Sequence, residues 1–379
     1  MSSMFKKICF FTANRSDYAK VRTFIVQINS DPDFDLTTIV GGTHFNDRYG
    51  NTVSDLLDDN ISVDHKIDCL MDDDSIFSMT KTSALQIYEM ANILEKKRFD
   101  LGIVVGDRYD MLPAAYAFSL CNIPIVHIQG GEKTGTIDDL IRDVITKLSH
   151  IHFVANEEAK LRLISLGEEE GHIYNTGCPS IDYIKDIDIP KDIDMDLLSK
   201  HCKDDINLSR DDDYFLVITH PNVTDPQDVN INEIIEAVDK FPNKKVFFYP
   251  NSDPFHQPIV SAIFKRKDFI KFKHVSTRCF LMILSNCKCL IGNSSAGIRE
   301  SSLFGVPTVN IGNRQDGRTS GGNVIDCRCR SKDIVDSISK IMDRDFESFS
   351  LYGDGNASGQ MVEVLKSYKS LSYKNILEK

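Results

Sequence analysis

The chain has 379 residues, 41% of them hydrophobic and 26% charged, which is apolar material enough for two domains with separate cores and excludes a disordered chain. Its 56 acidic residues outnumber 44 basic ones, giving a net charge of −12, so the clustered positive charge that draws nucleic acid is missing. No apolar run approaches the roughly 18 residues that span a bilayer, and "ICFF" near the start is too short for a signal peptide.

The predicted elements begin with a strand, "KICFFTA". A helix follows in which Tyr18, Val21, Phe24, Ile25 and Ile28 recur at helical spacing, with Ser16 or Asp17 as the expected N-cap. "LTTIVGG", "DLGIVVGD", "IPIVHIQ", "HIHFVA" and "HIYNTG" read as further strands, separated by helices such as "TSALQIYEMANILEKK" and "EEAKLRLISLG". Both faces of these strands are apolar, as in a parallel sheet covered by helices. Around 185–212 the pattern breaks into an Asp-rich stretch, expected to be a crossover between domains. A second series then runs through "YFLVITH", "KKVFFYP", "FIKFKHV", "KCLIGNSS", "PTVNIG" and "NVIDC", with "CFLMILSN" and "IVDSISKIMD" as helices between.

The expected architecture is therefore α/β, with two Rossmann-like domains facing a cleft. Residues 1–185 form the first, 186–354 the second, and a helix at about 355–379 packs back on the first. Ligands of such sheets bind beyond the C-terminal ends of the strands. Ten cysteines, several inside apolar runs, read as reduced core residues, and "CKC" and "CRC" lack the spacing of zinc pairs. The reading is a cytoplasmic protein without a metal site.

Polar clusters fall where predicted strands stop: Arg15 in "TANRSD", Asp107 and Arg108 in "VVGDRYD", and Gln129, Glu132, Asp138 and Asp139 in "VHIQGGEKTGTIDD". The second half adds His220 in "ITHPNVTD", Asn251 in "YPNSDP" and the run "IGNSSAGIRES". In that run a strand ends at glycine and a helix is expected to start, so backbone N–H groups and the hydroxyls of Ser294 and Ser295 suit an anion such as phosphate. Glu300 is placed either to accept ribose hydroxyls or to lie on a solvated helix face, and Arg314 either to pair with phosphate or to salt-bridge an acid. Asp107, Glu132 and Asp138 are the acid set for proton transfer, provided that burial raises a carboxyl pKa toward neutrality. For each carboxylate a cap or a salt bridge is the plain alternative, with Asp138 and Asp139 both suited to cap "LIRDVITKL".

These motifs, with "GGTHFNDRYGNT", "TGCPSID" and "NRQDGR" beside them, resemble the hydrolysing UDP-N-acetylglucosamine 2-epimerases along nearly the whole chain. The resemblance implies a fold of glycosyltransferase-B type, a nucleotide held mainly by the second domain, no metal or nicotinamide, no nucleic-acid or membrane partner, and a homodimer or homotetramer. It makes Arg15, Arg108, Ser294, Ser295, Glu300 and Arg314 nucleotide contacts and puts Asp107, Glu132, Asp138 and His220 around the sugar. His44, Arg142, Asp182, Asn251 and His274 become further lining. Gln129 departs from the pattern, since several relatives carry glutamate there and others histidine. An amide takes up no proton near neutrality, so either Glu132 or Asp138 does the acid-base work or the chain is a weakened member. The reaction implied is loss of the C2 proton and the nucleoside diphosphate to give a 2-acetamidoglycal, then addition of water with inverted C2. The competing readings are a glycosyltransferase of the same fold and a nucleotide-sugar binding protein without turnover.

Overall fold

The computed structural model describes residues 6–199, 206, 208–209 and 211–368. The first residues of the chain, part of the expected crossover, and the stretch of the expected last helix beyond 368 lie outside them.

The first sheet contains β1 (Lys6–Thr12), β2 (Phe34–Val40), β3 (His65–Lys66), β4 (Leu101–Val105), β5 (Ile125–Ile128), β6 (Ile151–Val154) and β7 (Ile173–Asn175). Its order is β3-β2-β1-β4-β5-β6-β7 and every pairing is parallel. Helices α1 (Arg15–Ser30), α2 (Val53–Asp58), α3 (Ile76–Leu94), α4 (Leu112–Leu120), α5 (Ile137–Leu148), α6 (Glu157–Ser165) and α7 (Pro179–Asp186) connect and flank these strands. β3 was not expected; with two residues it is too short to show a period.

After α8 (Met195–Ser199) the second sheet is built of β8 (Tyr214–Ile218), β9 (Lys244–Phe248), β10 (Ile270–Phe272), β11 (Cys289–Gly292), β12 (Thr308–Ile311) and β13 (Val324–Cys327). Its order, β10-β9-β8-β11-β12-β13, is again all parallel. The helices here are α9 (Ile231–Val238), α10 (Gln257–Lys265), α11 (Thr277–Asn286), α12 (Glu300–Leu303) and α13 (Ser331–Met342). Each sheet has an apolar cluster on both faces: Phe10 and Phe24 lie on one side of the first and Phe11 and Phe118 on the other. The second divides likewise, with Tyr214 and Phe272 opposite Phe215 and Phe247. Continuous apolar strands covered on both faces are what the sequence pattern implies.

The last described helix, α14 (Ala357–Ser367), returns to the first sheet. Met361, Val362 and Leu365 join the cluster that holds Val21 and Phe24 of α1. Two caps differ from expectation. Helix α1 is capped by Asn14, with Asp17 as the reciprocal partner of a capping box rather than the cap itself. Helix α5 is capped by Thr136, which leaves Asp138 and Asp139 in its first turn.

In both sheets the order reverses between adjacent strands, at β1 and β4 in one and at β8 and β11 in the other. These reversals open crevices at the strand C-termini. The two crevices face each other, which is the arrangement of glycosyltransferase-B type proteins.

Candidate active site

A cavity of about 270 Å³ lies between the sheets, lined by loops that follow β1, β2, β4 and β5 on one side and β8 to β12 on the other. The expected residues that reach its wall are Arg15, Asp107, Arg108, Asp138, His220, Asn251, Ser294, Ser295, Glu300 and Arg314.

The second sheet supplies an anion-suited surface. Gly292 has φ +140°, and a Cβ there would stand 2.0 Å from the carbonyl oxygen of Ile218, so the turn requires glycine. The expected helix after it is instead a 3-10 turn, Ser295–Gly297, followed by the four-residue α12 that Glu300 begins. A helix so short has little dipole, so attraction for an anion falls on N–H groups, hydroxyls and guanidiniums. Ser294 Oγ accepts from the Ala296 N–H at 3.4 Å and therefore also acts as a cap. Arg314 donates to the Asn293 carbonyl at 3.1 Å, and Arg15 shares a 3.1 Å hydrogen bond with His274 Nδ1. Arg108 is more committed than expected, pairing with Asp253 at 2.9 Å and Asp110 at 3.2 Å, so it ties the two sides of the cavity together.

His220 faces this surface as a neutral ring. Its Nδ1 accepts from the Asn251 N–H at 3.2 Å, which leaves any ring proton on Nε2. Burial first, and then the charges of Arg314, Arg15 and Arg108, push its pKa well below that of free imidazole.

The three acids of the first sheet have different environments. Asp138, in the first turn of α5, has its pKa raised to about 6 by burial and by the neighbouring charge of Asp107. Burial acts upward on Asp107 as well, but its ion pair with Arg142, with Lys20 and Arg318 nearby, holds it far below the usual carboxylate range. Glu132 is held at about 2: burial raises it, and the guanidiniums of Arg299 and Arg318 more than reverse that. Glu132 Oε2 lies 2.5 Å from Arg299 and 3.3 Å from Arg318.

Glu132, expected among the acids for proton transfer, is thus placed behind the wall as a buried ion-pair partner. Gln129 is also behind the wall, accepting from Arg299 at 2.7 Å and donating to the Cys178 sulfur at 2.8 Å. Arg142, expected as lining, is buried and holds Asp107 and Asp139, the latter at 2.6 Å. His44 is enclosed between the hydroxyls of Thr12 and Thr52, both at 2.9 Å, and burial lowers its pKa to about 4. Asp182 accepts from the N–H groups of Ala357 and Ser358 at 3.0 and 2.6 Å, so its carboxylate is used at the start of α14. His274 stands behind Arg15, with Asp55 3.5 Å from its other ring nitrogen.

Several residues escaped the sequence reading. Lys20, Tyr49 and Arg318 line the cavity, and Arg299 braces its rear. Arg318 closes the motif "NRQDGR", whose first arginine alone was singled out. Arg299 was passed over inside "GIRES", where one arginine on a helix reads as a solvated face. Among the described residues no group of three or more His, Cys, Asp or Glu is placed to hold a metal ion.

Fold and cleft together define a two-sheet protein of glycosyltransferase-B type whose polar groups converge between the sheets. Residues 26–366 match the family described as UDP-N-acetylglucosamine 2-epimerase. The chain is 32% identical over 370 residues to the UDP-N,N'-diacetylbacillosamine 2-epimerase (hydrolyzing) of Legionella pneumophila, covering 96% of both chains. It is 31% identical to polysialic acid biosynthesis protein P7 of Escherichia coli, covering 98% of this chain and 97% of that one. The fold matches the crystal structure of UDP-GlcNAc 2-epimerase from Neisseria meningitidis bound to UDP-GlcNAc, with a TM-score of 0.77 at 18% identity over 96% of this chain and all of that one. The chain belongs to the UDP-N-acetylglucosamine 2-epimerase family.

Proposed function

We propose that the protein is a hydrolysing 2-epimerase that converts a UDP-linked 2-acetamido sugar and water into UDP and the free sugar inverted at C2. The observation that carries this reading is Asp138, a carboxyl raised to about 6 at a cavity wall that faces Arg15, Arg314 and the Ser294 turn. Such a group is a competent base near neutrality. Its carboxylate takes the C2 proton while the bond from C1 to the diphosphate oxygen breaks, and the electron pair leaves on UDP. Guanidiniums and N–H groups stabilise that developing charge. Water then adds across the 2-acetamidoglycal, hydroxyl to C1 and proton to C2 on the opposite face. The named activities of the relatives support the class of substrate.

Turnover of UDP-N-acetylglucosamine in deuterated water tests the reading. The free sugar should carry deuterium at C2, and retention of the original proton there overturns elimination. Since guanidiniums supply the charge for the diphosphate, activity should survive excess chelator.

The reading extends to the protein's surroundings. Phe77 and Tyr88 of α3, Leu120 of α4 and Leu140 of α5 expose large apolar side chains on helices that pack side by side, a face suited to a second copy of the chain. Sedimentation should give at least twice the monomer mass, and Tyr88→Glu with Leu120→Glu should reduce it. No described helix is long and apolar enough to cross a membrane. The described cysteines are all free, which suits the reducing cytoplasm.

A further inference from the structure

Arg299 immediately precedes Glu300 on the turn that carries Ser294 and Ser295, yet its side chain leaves that turn and enters the first sheet's loop. One nitrogen of the guanidinium pairs with both carboxylate oxygens of Glu132, the other donates to Gln129 Oε1 at 2.7 Å. These two partners flank Gly130 and Gly131, so a single guanidinium holds both shoulders of the glycine turn. The turn itself has little freedom: Gly131 has φ +82°, and a Cβ there would stand 2.4 Å from the Ala159 carbonyl oxygen.

From Glu132 the restraint continues to the reacting end of the loop. Its backbone carbonyl accepts from Arg142 and, at 2.8 Å, from Arg162. The N–H groups of Thr134 and Gly135 bond Asp139 at 2.7 and 2.8 Å, which ties the loop to the first turn of α5 beside Asp138. Arg299 is itself fixed over the ring of Tyr352, 5.2 Å from its centroid.

We propose that Arg299 is a positioning residue that couples occupancy of the Ser294 to Glu300 turn by a nucleoside diphosphate to the placement of Asp138. This rests on the reading that the cavity takes a nucleotide sugar. A ligand that orders the turn orders Arg299, and with it the glycine turn and the loop that leads to α5. By reciprocity a loop held in place also favours the ligand. Gln129 has a defined part in this arrangement as the neutral acceptor of Arg299, which explains how an amide serves at a position where no proton is exchanged.

The test uses the full chain and UDP as probe. Amide hydrogen exchange across 130–139 should slow when UDP binds the wild type. In Arg299→Met, UDP should still bind, as read by calorimetry, while the slowing disappears. Turnover of UDP-N-acetylglucosamine should drop by on the order of a hundredfold, the scale of a misplaced catalytic group, with KM changing far less than kcat. Arg299→Lys, able to reach Glu132 but not both shoulders, should fall between. Should Arg299→Met fail to fold, the weakened slowing in Arg299→Lys provides the same measurement. UDP-dependent slowing that is undiminished in Arg299→Met or Arg299→Lys overturns the coupling, as does an unchanged kcat. If the wild type does not bind UDP, the functional reading fails and the coupling with it; if UDP binds and the loop shows no protection, the coupling alone fails.

Discussion

The two ends of the loop after β5 carry carboxylates six residues apart, and the fold treats them oppositely. At the inner end, Glu132 is buried against two guanidiniums from the second sheet and its pKa falls to about 2. At the outer end, Asp138 is buried beside the negative charge of Asp107 and rises to about 6. Burial acts in the same direction on both, so the neighbouring charge decides which acid holds the fold and which can exchange a proton.

The most severe way to break this contrast is Asp138→Asn. Turnover, followed as UDP release, should drop by on the order of a thousandfold, within the usual range for a positioned base, while UDP binding persists. Loss of binding together with turnover would make Asp138 a scaffold residue. At the inner end, Glu132→Gln leaves Arg299 and Arg318 without their carboxylate. Breaking a buried pair in this way costs about 3–5 kcal/mol, to be read as a lower denaturant midpoint.

The pH dependence sharpens the same comparison. Below about 6 Asp138 is protonated, so kcat/KM should decline with falling pH, by about tenfold per unit once the group is mostly neutral. Glu132 stays ionised through that range, and its contribution to stability is lost only as pH falls from the ordinary glutamate value of 4.5 through about 2. Asp138 has the opposite linkage. Its folded pKa is raised, so the native state loses stability as pH rises from 3.8 to about 6. Asp138→Asn should therefore stabilise the protein at pH 7, seen as a higher melting temperature in the same variant that loses activity. The smallest effect is expected from Gln129→Glu. The new carboxylate would face Arg299 rather than the cavity, so turnover should not increase; a sharp gain would mean that the side chain reaches the sugar.

The strands were legible because each is a short, continuously apolar run that ends in glycine or polar residues, and the wall residues followed from their place at those ends. Cap assignments slipped by two or three residues at α1 and α5 because Asn14 and Thr136 compete with several equally suitable neighbours. The surroundings of Glu132 were hidden for a different reason. Its partner Arg299 is 167 residues further along the chain, so the interaction that sets its pKa leaves no trace in local spacing. The partners of His44 and Asp182 were hidden for a related reason. Their motifs mark the cleft, but the hydrogen bonds that use their polar atoms, to Thr52 and to the start of α14, lie behind it.

The return of α14 to the first sheet bears on how the protein is made. Its N-terminus is capped by Asp182, the Ser358 hydroxyl lies 2.7 Å from that of Thr23 in α1, and its apolar face fills the cluster around Val21 and Phe24. Helix α1, which leaves the ribosome earlier, therefore waits for residues 357–367, which emerge after the entire second sheet. During synthesis the groove on α1 and α7 stays open, an apolar surface for chaperones to cover. A nascent chain stalled before 357 should expose Val21 and Phe24 to protease, and the released chain, with α14 free of the ribosome, should protect them.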